Sequence, residues 1–361
     1  MMFTVATYLV EIKSQQSFSD FLHERFFQPL GMQSTSLQPK SAQDKGFGDR
    51  IATGYHWTKN SSTYHGFQSP DCPESQGAGS IITSVNDFIR WVKALMNCED
   101  PINAKVYQGL VRMRTFLNPN ARRLKPYTSP VTYAAGLEVY YYRGYMVVGH
   151  NGVIPGFGSR YFFLPDFKFG AVIVGNSAGG GSVATIVAQE LIDEVLKVPE
   201  SERSYRNNSK AAHGAVKGDL IVNAKDESQN QSKDKRKGKG KDKGKMRQTR
   251  GSRVNNSQPQ DTPLSAYIGK YWHPGYHALT VQIKGDKLFI DATDRAMGFT
   301  LTFDHVCEQT KYTAHLSDFL EGGDDPVAAE FIFEDGGAVK MGLRLEIALK
   351  EMIWFERLKE S

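Results

Sequence analysis

Gly144-Tyr-Met-Val-Val-Gly149-His150-Asn151-Gly152-Val153-Ile154-Pro155-Gly156-Phe157-Gly-Ser159-Arg-Tyr-Phe-Phe-Leu-Pro165, followed by Phe169-Gly-Ala171-Val-Ile-Val-Gly175-Asn176, is the stretch that sets the architecture. It reads as three successive strands, because β-branched and aromatic runs alternate with Gly/Pro punctuation. The first strand ends in the polar tripeptide His150-Asn151-Gly152. The glycines from Gly152 to Gly158, Gly156 among them, let a ligand or another chain approach the backbone closely. The third strand, Ala171 to Gly175, is apolar without alternation, which predicts a place inside the sheet with both faces covered. A polar tripeptide bordering a Gly-rich loop is where a substrate could pair with the strand edge.

Working outward, two further segments fit the same pattern. Phe21-Leu-His-Glu-Arg-Phe-Phe-Gln-Pro29-Leu30-Gly31-Met32 reads as a helix running into a Pro-Gly stop, with Ser17 and Asp20 as a capping box. Gly77-Ala-Gly79-Ser-Ile-Ile-Thr83-Ser84-Val-Asn-Asp87-Phe-Ile-Arg-Trp91 reads as a glycine loop and an amphipathic helix capped by Ser84. With Gly149-His-Asn-Gly152 and Pro155-Gly-Phe-Gly-Ser159, these segments resemble the serine β-lactamase and penicillin-binding protein superfamily. The nearest likeness is to its class C-like branch of D-Ala-D-Ala peptidases and esterases. It covers residues 1 to 198.

That resemblance implies an α/β fold: part of a transpeptidase-like domain, with a mixed, largely antiparallel sheet flanked by helices. It also implies acyl transfer, in which a serine attacks an amide or ester and water hydrolyses the acyl-enzyme. His150-Asn151-Gly152 matches the family's Lys/His-x-Gly strand, so His150, Gly152 and Val153 are the implied catalytic positions and Asn151 and Gly156 the implied substrate contacts. The backbone N–H of Val153 is the implied oxyanion donor. His150 stands where many relatives carry lysine. Histidine is mostly neutral at pH 7, so the expected substrates are small-molecule or peptide esters and amides without a strict carboxylate requirement. Read from the residues alone, His150 is a strand-end histidine bonded to a neighbouring loop, and it is the resemblance that turns the reading to a catalytic one. No cofactor is implied, because serine acyl transfer needs none.

At 361 residues the chain has room for two domains. Its three cysteines, Cys72, Cys98 and Cys307, form no Cys-x-x-Cys pair, which argues against a disulfide framework and against zinc. The opening Met1 to Val10 is apolar, has no basic n-region and meets Glu11 too soon to span a membrane, so neither a signal peptide nor an anchor is expected. Met2 to Ile12 is apolar nearly all round, the pattern of a core helix. The net charge of +5 comes from residues 231–253, whose eleven Lys/Arg face two Asp. That low-complexity run predicts a disordered basic linker over 199–262. Binding of nucleic acid or another polyanion is the less favoured reading, since no aromatics are interleaved.

From Pro263 onward short strands dominate: Ala266–His273, His277–Ile283, Lys287–Asp291, Phe299–Phe303, Ala329–Phe333, Val339–Leu345 and Met352–Arg357. Their spacing predicts an antiparallel barrel of about eight strands over 263–361. It resembles the small lipocalin-like domain appended to some β-lactamase-related proteins. His273, His277, His305 and His315 lack ligand spacing and read as turn and surface histidines.

The family also requires Ser-x-x-Lys at a helix start and Tyr-x-Asn nearby. The chain offers only Ser232-Lys-Asp-Lys235 and Tyr205-Arg-Asn207, both in or beside the basic run and both chance matches. In the family these motifs precede the segment that Met1 to Lys13 resembles. Three readings follow: a serine hydrolase whose nucleophile-bearing part is missing here, leaving the chain inactive; a non-catalytic binding protein; and a polyanion binder acting through the lysine run.

Overall fold

The computed structural model describes residues 2–58, 61–121, 124–203, 259–346, 349 and 351–358. The chain divides into two units, Met1–Lys217 and Gly218–Ser361. The first unit opens with α1 (Met2–Ser14), α2 (Phe18–Leu22), β1 (Ser36–Leu37), α3 (Pro39–Ala42), β2 (Gly54–Thr58), β3 (Thr63–Phe67) and β4 (Ile81–Ile82). It continues with α4 (Val85–Asn97), α5 (Ala104–Val111), β5 (Thr115–Phe116), β6 (Thr132–Tyr133) and β7 (Glu138–Tyr142). It closes with β8 (Tyr145–Ile154), β9 (Phe157–Leu164), β10 (Phe169–Gly175) and α6 (Gly180–Val195).

β5 to β10 form one sheet in the order β10-β9-β8-β7-β6-β5, and each neighbouring pair is antiparallel. The sheet is sandwiched between helices. Val148 and Phe163 face α4 through Val92 and Leu95, while Val147, Phe162 and Leu164 face α6 through Ala188 and Ile192. The period-2 alternation of β8 and β9 thus supplies two cores from one sheet.

The three strands around His150 form in the expected order, but β10 lies at the edge and pairs only with β9 among the described residues. The expectation of an interior strand is corrected. Val172 packs on the α4 side and Ala171 and Ile173 on the α6 side, so its two faces are covered. A continuous apolar run reports covered faces, and it carries no information about whether the outer edge is paired.

Both predicted caps are present. Ser17 Oγ accepts from the Asp20 N–H and Ser84 Oγ from the Asp87 N–H. Asp87, itself buried, takes the Ser34 N–H at 2.7 Å and the Thr35 hydroxyl at 2.9 Å, tying the start of α4 to the turn after Met32. Ser84 is therefore a structural cap. Helix α1 departs from the core-helix expectation: only Thr7 is buried, and Met2, Tyr8 and Ile12 are 77%, 63% and 57% exposed. Its anchorage is polar and backbone-mediated: the Thr4 hydroxyl donates to the Glu74 carbonyl. Gly77 meets Phe3 so closely that a Cβ there would lie 2.4 Å from the Phe3 carbonyl oxygen.

The glycines after Asn176 serve close packing. A Cβ on Gly158 would fall 2.0 Å from the Gly181 nitrogen, and one on Gly175 3.1 Å from the Gly180 Cα. The first turn of α6 thus lies directly on the backbones of β9 and β10, where no side chain fits.

The second unit is a closed barrel of β11 (Gly269–His273), β12 (His277–Lys284), β13 (Lys287–Ala292), β14 (Phe299–Cys307), β15 (Lys311–Asp318), β16 (Gly322–Glu334), β17 (Gly337–Leu343) and β18 (Ile353–Arg357). The pairing of β11 with β18 closes it. Strand β15 is absent from the sequence-based set because Lys-Tyr-Thr-Ala-His-Leu-Ser-Asp is polar on average. Its alternation still buries Tyr312 and Ala314. Tyr267, Tyr271, Phe331 and Phe355 are fully buried and belong to the cluster that fills the interior, so the lumen is a core.

Of the linker expected over 199–262, residues 204–258 lie outside the described residues, with Ser232, Lys235, Tyr205 and Asn207 among them. Glu200–Glu202 forms a short turn after α6. Gln260 donates to the Tyr312 hydroxyl at 2.7 Å, so the barrel unit is engaged from there onward.

Candidate active site

Strand β8 is ten residues long, and its two neighbours cover it unequally. β9 pairs with it from Val148 to Ile154, whereas β7 stops at the pair Glu138–Gly149. Residues 150–154 therefore have one unpaired edge among the described residues. Pro155-Gly156 is a two-residue turn, with Gly156 at φ 72°, and it joins Ile154 to Phe157. A two-residue turn makes Ile154–Phe157 the closing hydrogen-bonded pair. Antiparallel alternation then sends the backbone groups of His150, Gly152 and Ile154 toward β9. Those of Asn151 and Val153 point to the open edge. Val153 is 73% exposed, and its N–H points to that open edge.

The side chains at 150 and 151 lie on opposite faces, as adjacent strand residues must. His150 shares the α4 face. Its Nε2 lies 3.2 Å from the Tyr133 hydroxyl and its Nδ1 2.5 Å from the Asn151 carbonyl oxygen. The Tyr133 and His150 rings meet edge to face at 5.7 Å. Tyr161 is the cross-strand partner of His150 and meets Phe88 of α4 edge to face at 5.0 Å. Burial, seconded by the Glu138 carboxylate, raises the Tyr133 hydroxyl above its ordinary range. Burial likewise raises Tyr161, with smaller contributions from Tyr133 and Glu138.

Asn151 belongs to a separate network on the α6 face. Arg160 donates to its side-chain oxygen at 2.6 Å and to the Tyr140 hydroxyl at 3.4 Å. Burial raises Tyr140 while Arg160 opposes that shift. Asn151 thus offers the open edge its backbone N–H, while its carbonyl oxygen meets His150 Nδ1 and its amide side chain meets Arg160. Gly152 is tight, since a Cβ there would lie 2.4 Å from Ser159 Oγ. Gly149 is tighter: its Cβ would meet the Tyr161 carbonyl oxygen at 2.2 Å. Gly156 permits a close approach that the protein itself makes, because a Cβ there would lie 2.9 Å from the Gly54 Cα.

Two surface hollows of the described residues lie away from this edge. One, of about 520 Å³, is lined by Glu11, Phe18, Gln38 and Lys45. The other, of about 350 Å³, is lined by Val306, Tyr312, Pro326 and Met352 of the barrel. Neither includes His150. Strand β8 presents an open edge, the geometry suited to an extended ligand. Among the described residues no group of three His, Cys, Asp or Glu is placed to hold a metal ion. His315 lies 2.5 Å from Asp324 and 3.2 Å from Asp304. No described helix is long and apolar enough to cross a membrane.

Residues 1–194, the part that carries this edge, match the Beta-lactamase family. The chain belongs to the beta-lactamase family. Residues 253–357, the barrel, match a domain of unknown function, DUF3471. This beta-lactamase-family chain is 28% identical to an unguisins hydrolase of Aspergillus violaceofuscus, over 99% of its own length and 62% of that protein's. It is 27% identical to a D-aminopeptidase of Brucella anthropi over 56% of its length and 35% of the relative's. Among solved structures it is similar to the octameric penicillin-binding protein homologue from Pyrococcus abyssi, at 17% identity and TM-score 0.47, over 97% of this chain and 62% of that one. The chain thus spans less than two thirds of the length of the relatives it matches end to end.

Tyr133, Tyr161 and Arg160 escaped the sequence reading. Tyr161 was accessible in principle, since counting back from the Pro155-Gly156 turn places it opposite His150. Tyr133 carries no such signal, because it reaches His150 from β6, beyond β7.

Proposed function

We propose that this chain supplies the β8 wall of a serine acyl-transfer pocket that hydrolyses amides or esters of small molecules or peptides. The observation that carries the reading is the open edge at 150–154, toward which the Val153 N–H points, three residues along β8 from His150, with no paired strand opposite it among the described residues. In the beta-lactamase mechanism an N–H in that place stabilises the negative oxygen that forms when serine attacks the carbonyl. The Asn151 N–H and the Val153 backbone, both turned to the open edge, suit an extended acyl chain laid along it. His150 takes the place of a fixed lysine charge, which favours substrates without an obligatory carboxylate. The relatives support this reading through their names, a hydrolase of unguisins and D-aminopeptidases.

The attacking serine and its lysine base come, in this proposal, from sequence outside these residues. Ser-x-x-Lys and Tyr-x-Asn occur only between 204 and 258, and the chain covers 62% of the length of its hydrolase relative. The same observation favours a second reading, in which the edge binds acyl ligands without turnover.

Assaying the 361-residue chain with a chromogenic ester and a chromogenic cephalosporin separates the two. The expected result is no turnover by the chain alone and turnover once an upstream segment bearing Ser-x-x-Lys is joined to it. His150→Ala should then reduce kcat/KM by roughly tenfold or more, the scale of a transition-state contact worth about 1.4 kcal/mol. Turnover by the chain alone would refute the division of labour, and an extended protein that binds acyl ligands without hydrolysis would establish the second reading.

A further inference from the structure

We infer that Tyr133 is a positioning and specificity residue: it holds His150 in the Nδ1–H form and leaves its own oxygen as an acceptor for a substrate amine. The inference rests on the reading of β8 as a pocket wall and names the substrate class that this wall prefers.

The hydrogen bonds dictate the tautomer. The Asn151 carbonyl oxygen only accepts, so at 2.5 Å the proton between them belongs to His150 Nδ1. In a neutral imidazole Nε2 then carries the lone pair and takes the Tyr133 O–H at 3.2 Å. Burial keeps that phenol protonated, so it has a proton to give. Both ring nitrogens of His150 are thereby engaged within the protein. The imidazole is left without a free N–H for a substrate carboxylate and without a free lone pair for proton abstraction.

The Tyr133 oxygen takes over as the polar feature of this wall. Having donated to Nε2, it retains lone pairs that accept from an N–H. Among the described residues the charge that acts on the Tyr133 hydroxyl is the Glu138 carboxylate, while the Arg160 guanidinium is held on the other face by Asn151 and Tyr140. Tyr133 and Tyr161 both feel the Glu138 carboxylate, and Glu138 pairs with Tyr133 across β6–β7 and with Gly149 across β7–β8. Phenol oxygens, an imidazole with both nitrogens engaged and a carboxylate together disfavour an anionic ligand and attract an ammonium. A substrate with a free amine close to the scissile carbonyl meets this wall with its charge matched, and one ending in a carboxylate does not.

The test uses the full 361-residue chain with 15N-labelled histidine. The expected spectrum at neutral pH shows His150 protonated at Nδ1 and hydrogen-bonded at Nε2. In Tyr133→Phe the Nε2 signal should move to the position of a free lone pair, with the rest of the amide spectrum unchanged. An unmoved Nε2 signal would overturn the role given to Tyr133, whatever β8 binds. The chain is then titrated with D-phenylalanine amide, N-acetyl-D-phenylalanine amide and N-acetyl-D-phenylalanine, following the same His150 signals. The free amine should bind at least tenfold tighter than the other two, and Tyr133→Phe should erase the difference. Glu138→Gln should narrow it severalfold while leaving the tautomer intact. Equal or tighter binding of the carboxylate would overturn the amine assignment. If no ligand moves His150, the pocket reading and the amine assignment both fail, and the Tyr133–His150 lock stands or falls on the first measurement.

Discussion

The barrel and the sheet are both antiparallel, and they differ in how they finish. Each barrel strand has two neighbours and the interior is filled with aliphatic and aromatic side chains, so the strands use up their own edge hydrogen bonds and share one apolar core. The sheet does not. Among the described residues half of β8 has one free side, β10 has a free side along its length, and α1 keeps Met2, Phe3 and Leu9 exposed. Closure removes edges and favours stability, whereas an edge left open is where an extended ligand or another strand can add. The difference teaches that the barrel finishes its own pairing and packing, while the sheet leaves open the edge that the proposed acyl-transfer site uses.

The strongest way to break this comparison is to hollow the barrel. Phe331 is 1% exposed and meets the rings of Tyr267, Tyr271, Phe303 and Tyr312. Phe331→Ala should cost about 3–5 kcal/mol. Hydrogen exchange should then show the loss of protection across β11 to β18, while the amides of β8 and β9 keep theirs. Equal loss in both units would end the claim that the barrel finishes its own packing.

Alkaline pH should weaken the barrel next. Burial pushes Tyr271 up to about 12, partly offset by Arg357. In the unfolded chain a tyrosine titrates near 10. Because the folded barrel holds the Tyr271 proton more tightly, its contribution to stability is complete below about pH 10 and is lost as pH rises through about 12. Urea midpoints measured from pH 9 to 11.5 should fall, and Tyr271→Phe should flatten that fall. A slope unchanged in Tyr271→Phe would assign the alkaline loss to other groups.

The smallest effect belongs to the sheet unit. Ser84→Ala removes the cap of α4 and should cost about 1 kcal/mol. Because α4 covers the His150 face of the sheet through Val92 and Leu95, the loss should appear as faster exchange in α4, with barrel midpoints unchanged. Ser84→Asp should restore it, since an aspartate caps as well as a serine. A large loss of ester hydrolysis in the extended protein with Ser84→Asp would instead point to a chemical role for the hydroxyl.

Much of the fold was legible. The three strands around His150 follow from β-branched runs cut by Pro and Gly, and the caps at Ser17 and Ser84 follow from Ser-x-x-Asp before an apolar stripe. The barrel follows from strand spacing, although β15 was hidden because half its residues face solvent and are polar. The candidate site was legible only in part. His150 and Val153 could be singled out as positions, yet Tyr133 could not, because β6 comes near β8 only across β7. That Asn151 turns its side chain to Arg160 follows from strand alternation once the register is known, and the register is a tertiary quantity.

The amino-acid sequence by itself determined the local elements and the residue types available along β8, because turn chemistry, capping and periodicity act over a few residues. It also determined that β10 is apolar on both faces and α1 all round. Only the tertiary structure decided that β10 sits at an edge, that α1 stays exposed, and that a phenol from another strand occupies His150 Nε2. Those outcomes depend on which segments become neighbours, and a side chain's type does not encode its partner.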